Sequence, residues 1–127
     1  MSLAHLTLAT RDARRADAFF AGALGWRPLA RPDNVGRAAA WLEIAPGQEQ
    51  HLVEVADFRP SRFEAEFGRH VALAFPRTEL AGLKRRLLAR GAALIAPERP
   101  TPFERFFFRG PDGYVFAVVA AERGPEA

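Results

Sequence analysis

The sequence predicts an α+β fold in which two βαβββ modules form a curled mixed sheet around a shared trough. The run His-Leu-Thr-Leu-Ala at His5 recurs as His-Val-Ala-Leu-Ala at His70, which lies 65 positions later. An amphipathic segment follows each run and ends on a glycine, at Gly25 and at Gly91. Each copy then closes with an apolar, strand-like segment. The predicted parts are a first module at 4–56, a linker at 57–69 and a second module at 70–121, together one domain.

The elements of the first module follow from its periodicity. Alternation over residues 4–9 predicts a strand that places His5, Thr7 and Ala9 on one face. Asp12 is the predicted N-cap of a helix over 13–24, which Gly25 ends. Three further strands are predicted at 26–31, 38–45 and 51–56, separated by a Pro-Asp-Asn loop and a Pro-Gly turn.

The second module repeats this order. Residues 70–75 read as a strand, and Thr78 is the predicted N-cap of a helix over 79–90 with a leucine stripe. The turn Gly-Pro-Asp-Gly at 110–113 predicts a hairpin. The remaining strands are predicted at 92–95, 103–109 and 114–120.

Composition excludes several classes of protein. The 127 residues include no cysteine, so disulfides and zinc–thiolate sites are impossible. No segment is long and apolar enough for a membrane span, and the N-terminus lacks a signal pattern, so a cytoplasmic protein without a membrane partner is expected. The net charge of +3 comes from 17 arginines and one lysine that are spread among acidic residues. This dispersal argues against a nucleic-acid partner.

Three polar residues at repeat-related places suggest a metal site. If a pseudo-twofold axis relates the copies, His5 and His70 face each other across the trough. An alignment offset of 63 places Glu54 opposite Ala117. Two imidazoles and a carboxylate suit a divalent Zn, Ni, Fe or Mn, although the site is incomplete because Ala117 cannot ligate. His51 is expected on the other face from Glu54, at the surface or on the helix side.

Each of these residues also has an ordinary structural explanation. A single strand histidine is usually a core or rim residue, and Glu54 could be a buried carboxylate that pairs with Arg105 or Arg109. A set of polar and aromatic side chains could line an apolar ligand site, although strand aromatics are more often core. This predicted substrate-binding set is Thr7, Trp41, Phe107 and Tyr114.

Five motifs together resemble the vicinal-oxygen-chelate superfamily, also called the glyoxalase/bleomycin-resistance/dioxygenase superfamily. They span residues 4 to about 120 and are His5-Leu-Thr-Leu-Ala, Phe19-Phe20 with Leu24-Gly25-Trp26, Leu52-Val-Glu-Val, Gly68-Arg-His70-Val-Ala-Leu and Gly110-Pro-Asp-Gly-Tyr114. The resemblance implies a glyoxalase-like fold with metal positions at His5, Glu54, His70 and Ala117. It also implies a small-molecule ligand or substrate and a homodimer.

Ala117 departs from the family pattern at a predicted metal position, and this bears on which activity is expected. In glyoxalase I-like relatives this position holds a glutamate that is both ligand and base, so the resemblance disfavours lactoylglutathione lyase activity. A divalent-metal-dependent lyase, isomerase or dioxygenase acting on a small oxygenated molecule is the first hypothesis. The alternative is a metal-free protein that binds or sequesters a small ligand, as bleomycin-resistance proteins do. A degenerate module that serves only for dimerisation is the third.

Overall fold

The computed structural model describes residues 1–123, which fall into two compact units. The first unit is Met1–Arg59, and the second begins at Pro60. Each unit contains one four-stranded mixed sheet and one α-helix. The predicted inventory of eight strands and two helices in an α+β fold is therefore confirmed.

The first unit follows the predicted order of elements. Its sheet has the strand order β1-β4-β3-β2, in which β1 and β4 are parallel and the other neighbours are antiparallel. A short 3-10 turn at Asp33–Val35 lies between β2 and β3. The elements are β1 (His5–Thr10), α1 (Ala13–Leu24), β2 (Arg27–Leu29), β3 (Ala39–Ala45) and β4 (Gln48–Glu54).

Helix α1 begins and ends where the sequence predicts. The Asp12 carboxylate accepts a hydrogen bond from the backbone N–H of Arg15 at 3.1 Å, which satisfies one of the free donors of the first turn. Gly25 ends the helix with φ of 75°, a left-handed conformation that glycine adopts without strain. The apolar side of α1 packs on β3 and β4. Phe20 extends this contact by stacking on Trp26 at 5.6 Å.

The two faces of the first sheet differ in character. Leu8, Leu42 and Leu52 are fully buried on the face that α1 covers, and they form the core of this unit. Because side chains alternate along a strand, His5 and Thr7 lie on the opposite face. We call this opposite side of the sheet the His5 face.

Strand β4 begins three residues before the predicted start at His51. The Pro46-Gly47 turn is tight enough for Gln48 to pair with Ala45 directly after it, with a register irregularity near Glu43. Gly47 has φ of 79°, which permits this turn. Polar residues therefore occupy the first half of the strand, where the sequence predicted a loop.

The second unit has the same topology, with the strand order β5-β8-β7-β6 and a parallel β5/β8 pair. Its helix buries Leu80, Leu83 and Leu87. The expected N-cap at Thr78 is wrong, because Thr78 lies inside a 3-10 turn, Arg77–Glu79, that runs directly into the helix. The elements are β5 (Val71–Phe75), α2 (Leu80–Ala89), β6 (Ala93–Ile95), β7 (Arg105–Arg109) and β8 (Val115–Ala120).

Neither α1 nor α2 has the length and apolar character needed to cross a bilayer, and no other helix within residues 1–123 does.

Candidate functional site

Polar and aromatic side chains from three neighbouring strands meet on the His5 face. Strand pairing places His5 beside Glu49, and Thr7 beside His51, on the parallel strands β1 and β4. Trp41 of β3 lies beside His51 on its other side. All five residues share one face because each pair is in register and side chains alternate with a period of two.

Three rings form a continuous stack on this face. The imidazole of His51 lies 4.1 Å from that of His5 with an interplanar angle of 14°, and 3.8 Å from the Trp41 ring with an angle of 3°. His51 is 9% exposed, whereas His5 is on the edge strand and open to solvent. We call these three residues the ring stack.

A carboxylate fixes the orientation of the central imidazole. Glu49 Oε1 lies 2.8 Å from His51 Nε2. Because a carboxylate is an acceptor, this contact assigns the proton to Nε2 and leaves the lone pair on Nδ1. Carboxylate–histidine pairs of this kind orient imidazoles that bind metals or accept protons.

The predicted neighbour of His5 is not at this site. Glu54 pairs with Thr10, five positions along the β1/β4 ladder from the His5 pair, which is about 16 Å at the rise of a strand. It also lies on the α1 side of the sheet, where its Oε1 accepts the backbone N–H of Ala13 at 2.9 Å. Glu54 therefore completes the N-terminus of α1, and the prediction that it reaches the same site as His5 is wrong.

Strand register gives a different correspondence between the two copies. Thr7 and Ala72 are equivalent positions on β1 and β5, and their partners are His51 and Ala117. The offset between β4 and β8 is thus 66 residues, and the offset of 63 misaligned them. The first-unit equivalent of Ala117 is therefore His51, which the sequence interpretation placed at the surface or on the helix side.

The corresponding face of the second unit carries an apolar cluster. Phe107, Val115 and Ala117 form a buried cluster, and each is no more than 2% exposed. His70 directly precedes β5, and its ring meets Phe107 edge-on at 5.2 Å. The Nδ1–H group of His70 donates a hydrogen bond to the carbonyl oxygen of Ala65 at 3.2 Å, which leaves Nε2 as the acceptor atom.

The predicted substrate-binding set is divided between the two units. Thr7 and Trp41 flank His51 in the first unit, and Phe107 contacts His70 in the second. Tyr114 lies in the turn before β8, beneath the guanidinium of Arg69 at 5.3 Å. Within the first unit, Thr7 and Trp41 are thus brought together beside His51.

The two arginines considered as partners of Glu54 have other contacts. Arg105 pairs with Glu66 at 2.9 Å. Arg109 donates to the carbonyl oxygens of Gly113 and Glu64. Both interactions lie within the second unit, so the carboxylate of Glu54 is satisfied by the helix rather than by an arginine.

The donor atoms fit a divalent ion only in part. Within residues 1–123, no three histidine, aspartate or glutamate side chains are arranged as a metal site. The His5–His51 pair does supply two adjacent imidazoles, the donors that Zn, Ni, Fe and Mn share. His51 is thus the functional candidate that the sequence interpretation missed.

A cavity of about 510 Å³ lies at the other side of the first unit, near the N-terminus of α1. Its lining includes Asp12, Asp17 and Glu54 together with Arg14 and Arg31. No member of the ring stack lines it. Two of its three carboxylates already accept backbone hydrogen bonds from the first turn of α1, so we assign this cavity to the helix terminus.

The family of the chain follows from comparison with known proteins. The profile of the Glyoxalase/Bleomycin resistance protein/Dioxygenase superfamily matches residues 2–118. The chain therefore belongs to this superfamily, as its sequence motifs indicated. No curated protein matches the sequence.

Solved structures share the fold at low sequence identity. A glyoxalase family protein from Bacillus anthracis is 20% identical, with a TM-score of 0.76 and coverage of 94% of both chains. The fosfomycin resistance protein FosX from Listeria monocytogenes is 19% identical, with a TM-score of 0.75 over 99% of this chain and 95% of that one. A variant of Listeria FosX was solved with Mn(II) and 1S,2S-dihydroxypropylphosphonic acid; it is 21% identical, with a TM-score of 0.74 over 93% and 88% of the two chains.

Proposed function

We propose that this protein is a divalent-metal-dependent enzyme that acts on a small oxygenated molecule. The observation that carries the proposal is the adjacency of His5 and His51, whose rings lie 4.1 Å apart on one sheet face. In this proposal the two imidazoles turn out of their parallel stack so that one nitrogen of each holds the metal, in place of the predicted His5–Glu54 pair. The metal-binding role of His70 stays a prediction from the sequence.

The residues around His51 support this role. Glu49 accepts a hydrogen bond from Nε2–H, so Nδ1 is the atom left to bind an ion. Trp41 restricts the ring from the other side and thereby limits the orientations that it can adopt. When bound, a divalent ion supplies Lewis-acid polarisation of a substrate oxygen at the coordination positions that the protein leaves open.

The same geometry argues against lactoylglutathione lyase activity. Ala117 offers neither a ligand nor a base, and it is buried with Phe107 and Val115. The equivalent residue of the first unit is a histidine rather than a carboxylate. The FosX structures share the fold, and one of them contains Mn(II) and a dihydroxypropylphosphonic acid, so an epoxide-bearing phosphonate is a reasonable first substrate to test.

Metal analysis of the tag-free protein tests the proposal. After reconstitution with Mn, Fe, Ni or Zn and gel filtration, we expect about one ion per chain in the wild type. His5→Ala and His51→Ala should each lower the metal content at least about tenfold, because each removes an imidazole donor. Turnover of fosfomycin by the loaded enzyme, followed by phosphorus NMR, then tests the substrate class.

Glu54→Gln is the matched control because Glu54 contacts α1 and not the ring stack. It should keep the wild-type metal content. Full metal content in folded His51→Ala contradicts the proposed site. Loss of metal in folded Glu54→Gln also contradicts it and favours Glu54 as a ligand, as the sequence predicted.

A second candidate function is metal-free binding of a small aromatic molecule. It is favoured by the open side of the ring stack, where the His5 ring is exposed to solvent. In EDTA-treated protein, small aromatic ligands should then raise the melting temperature, since a ligand that binds only the folded state stabilises it. Trp41→Ala should abolish this rise, whereas Phe63→Ala, which removes an exposed aromatic ring, should keep it.

The predicted homodimer remains a prediction, which size-exclusion chromatography with light scattering tests directly.

A further inference from the structure

The carboxylate of Glu66 occupies a site in the second unit that is built from three donors. Oε1 accepts the backbone N–H of Glu98 at 2.7 Å, and Oε2 accepts the N–H of Arg99 at 3.0 Å. The Nη2 atom of Arg105 donates to the same Oε2 at 2.9 Å. We call these two N–H groups and the guanidinium the carboxylate site.

This arrangement of donors is typical of anion recognition. Successive backbone N–H groups form a concave site for oxyanions, and an arginine adds charge and directional hydrogen bonds. A cavity of about 390 Å³ is lined by the segment 97–105, which carries all three donors. Consistent with this environment, burial alone would raise the pKa of Glu66, but the two backbone hydrogen bonds and Arg105 lower the pKa below its ordinary value.

The Nη2 atom of Arg105 also donates to the carbonyl oxygen of Arg99 at 2.6 Å, yet the guanidinium still has an unused donor. The side chain of Arg105 is 7% exposed, and its Nε atom is buried without a hydrogen-bond partner among residues 1–123. Nε and Nη2 form one edge of the guanidinium, an edge that binds two oxygens of the same anion in parallel. The two oxygens of the Glu66 carboxylate accept from two backbone N–H groups and from Nη2, and Nε stays unpaired among the described residues. A tetrahedral phosphate or phosphonate has a third oxygen that can accept from Nε.

We propose that the carboxylate site is a binding site for a phosphate or phosphonate group, and that Glu66 closes it in the absence of ligand. The anion replaces the Glu66 carboxylate on the N–H groups of Glu98 and Arg99 and pairs with Nε and Nη2 of Arg105. The site rests on contacts within the second unit and is independent of the metal proposed at His5 and His51.

Release of Glu66 is a local change because a separate contact holds the rest of its segment. The side chain of Glu64 is almost fully buried, and its two oxygens accept the N–H of Val115 at 2.7 Å and the guanidinium of Arg69 at 2.8 Å. The neighbours of Glu66, Ala65 and Phe67, are exposed. Glu66 can thus leave the site while Glu64 keeps the segment on the sheet.

Titration with inorganic phosphate at constant ionic strength tests the proposal. Proton–nitrogen NMR of the full chain would follow the amides of Glu98 and Arg99 and the Nε–H of Arg105. Because an attached carboxylate competes as an intramolecular ligand at an effective concentration in the millimolar range, Glu66→Ala should bind phosphate about tenfold more tightly than the wild type. A parallel titration with acetate distinguishes a phosphoryl site, for which phosphate is preferred, from a general carboxylate site.

Glu104→Ala is the matched control because it removes an exposed carboxylate from the same segment without emptying the site. It should bind phosphate as the wild type does. Glu66→Gln provides a second test if the alanine variant is poorly folded, and Arg105→Gln in either background should abolish binding. Equal phosphate affinity in Glu66→Ala and Glu104→Ala, or acetate binding as tight as phosphate binding, overturns the proposal.

Discussion

At the scale of single residues, His51 is distinguished from the other two histidines by its contacts on three sides. His5 stacks on one face of its ring, Trp41 stacks on the other, and Glu49 holds Nε2. An imidazole held in this way loses little conformational entropy when it binds an ion or a substrate. Among residues 1–123, the ring contacts of the other two histidines are with His51 for His5 and with Phe107 for His70.

The carboxylate beside His51 should influence metal affinity without touching the metal. Glu49→Gln keeps the size of the side chain but weakens the acceptor that orients the imidazole, so we expect a loss of about 10- to 100-fold in metal affinity. Competition with a chelating dye measures the change. Glu43→Gln is the control, because Glu43 lies opposite Glu49 on β3 and pairs with Arg27 instead. An equal loss in both variants would point to a general effect of charge on this face.

Glu54 should matter for stability and not for metal binding. Its carboxylate accepts an N–H of the first turn of α1, where a negative charge also interacts favourably with the helix dipole. Glu54→Gln should lower the free energy of unfolding by about 0.5–2 kcal/mol, the range found for helix N-terminal contacts. Urea unfolding with and without bound metal measures it, and a loss that appears only with metal would argue for a ligand role.

At the scale of elements, β4 carries different chemistry on its two faces. Glu49 and His51 lie on the His5 face, while Gln50, Leu52 and Glu54 point toward α1. Gln50 is fully buried, and neither its amide nitrogen nor its amide oxygen has a hydrogen-bond partner among residues 1–123. Burying an amide without a hydrogen-bond partner costs free energy, so Gln50 lowers the stability of the folded first unit.

Replacing this amide with an apolar group should stabilise the first unit. We expect Gln50→Leu to raise the free energy of unfolding by about 1–2 kcal/mol, because the cost of the unpaired amide is removed. Thr10→Val is the contrasting variant: Thr10 is equally buried, but its hydroxyl bonds to the backbone of Asp12, so this change should destabilise. A destabilised Gln50→Leu protein would contradict this account of the unpaired amide.

The sequence was sufficient for the elements but not for the strand register. Alternating and helical periodicities, with Asp12 and Gly25 as helix signals, predicted all ten elements because each signal is local. The register between β1 and β4 depends on where β4 begins. Because the first residues of β4, from Gln48, are polar, hydrophobic periodicity did not reveal that the strand starts there. An error of three residues also reverses the face of every side chain, which is why Glu54 was chosen over His51.

Side-chain alternation was the available signal for His51. The sequence placed Leu52 and Glu54 together and His51 opposite them, which the structure confirms. Leu6 and Leu8 were placed opposite His5. In a parallel pair of strands, the apolar face of β1 should lie on the same side of the sheet as the apolar face of β4. This rule brings His51, not Glu54, to the side of His5, and it does not require an alignment offset between the two copies.

At the scale of the whole molecule, two units of the same topology carry opposite chemistry at equivalent positions. Thr7, Trp41 and His51 in the first unit correspond to Ala72, Phe107 and Ala117 in the second. The first unit has kept polar donors on its sheet face, whereas the second has an apolar cluster there.

Acid should weaken the second unit through Glu66. Because the pKa of this carboxyl is lowered in the folded state, its contribution is present above the ordinary value of 4.5 and is lost as the pH falls through the folded pKa. The wild type should therefore exceed Glu66→Gln in unfolding free energy at pH about 7, and the gap should close at pH about 3. Urea titrations over this range measure the gap. If the difference in unfolding free energy between the wild type and Glu66→Gln instead widened on acidification, the lowered pKa of Glu66 would be contradicted.

The contact between Trp41 and His51 gives the first unit a built-in optical probe. An indole 3.8 Å from an imidazole is quenched when that imidazole becomes electron-poor, whether by a proton or by a metal ion. Trp26, the other indole, is buried against Phe20 and far from any histidine contact among the described residues. Tryptophan emission should thus respond to events at His51 through a single fluorophore, which makes occupancy of the site measurable in unlabelled protein.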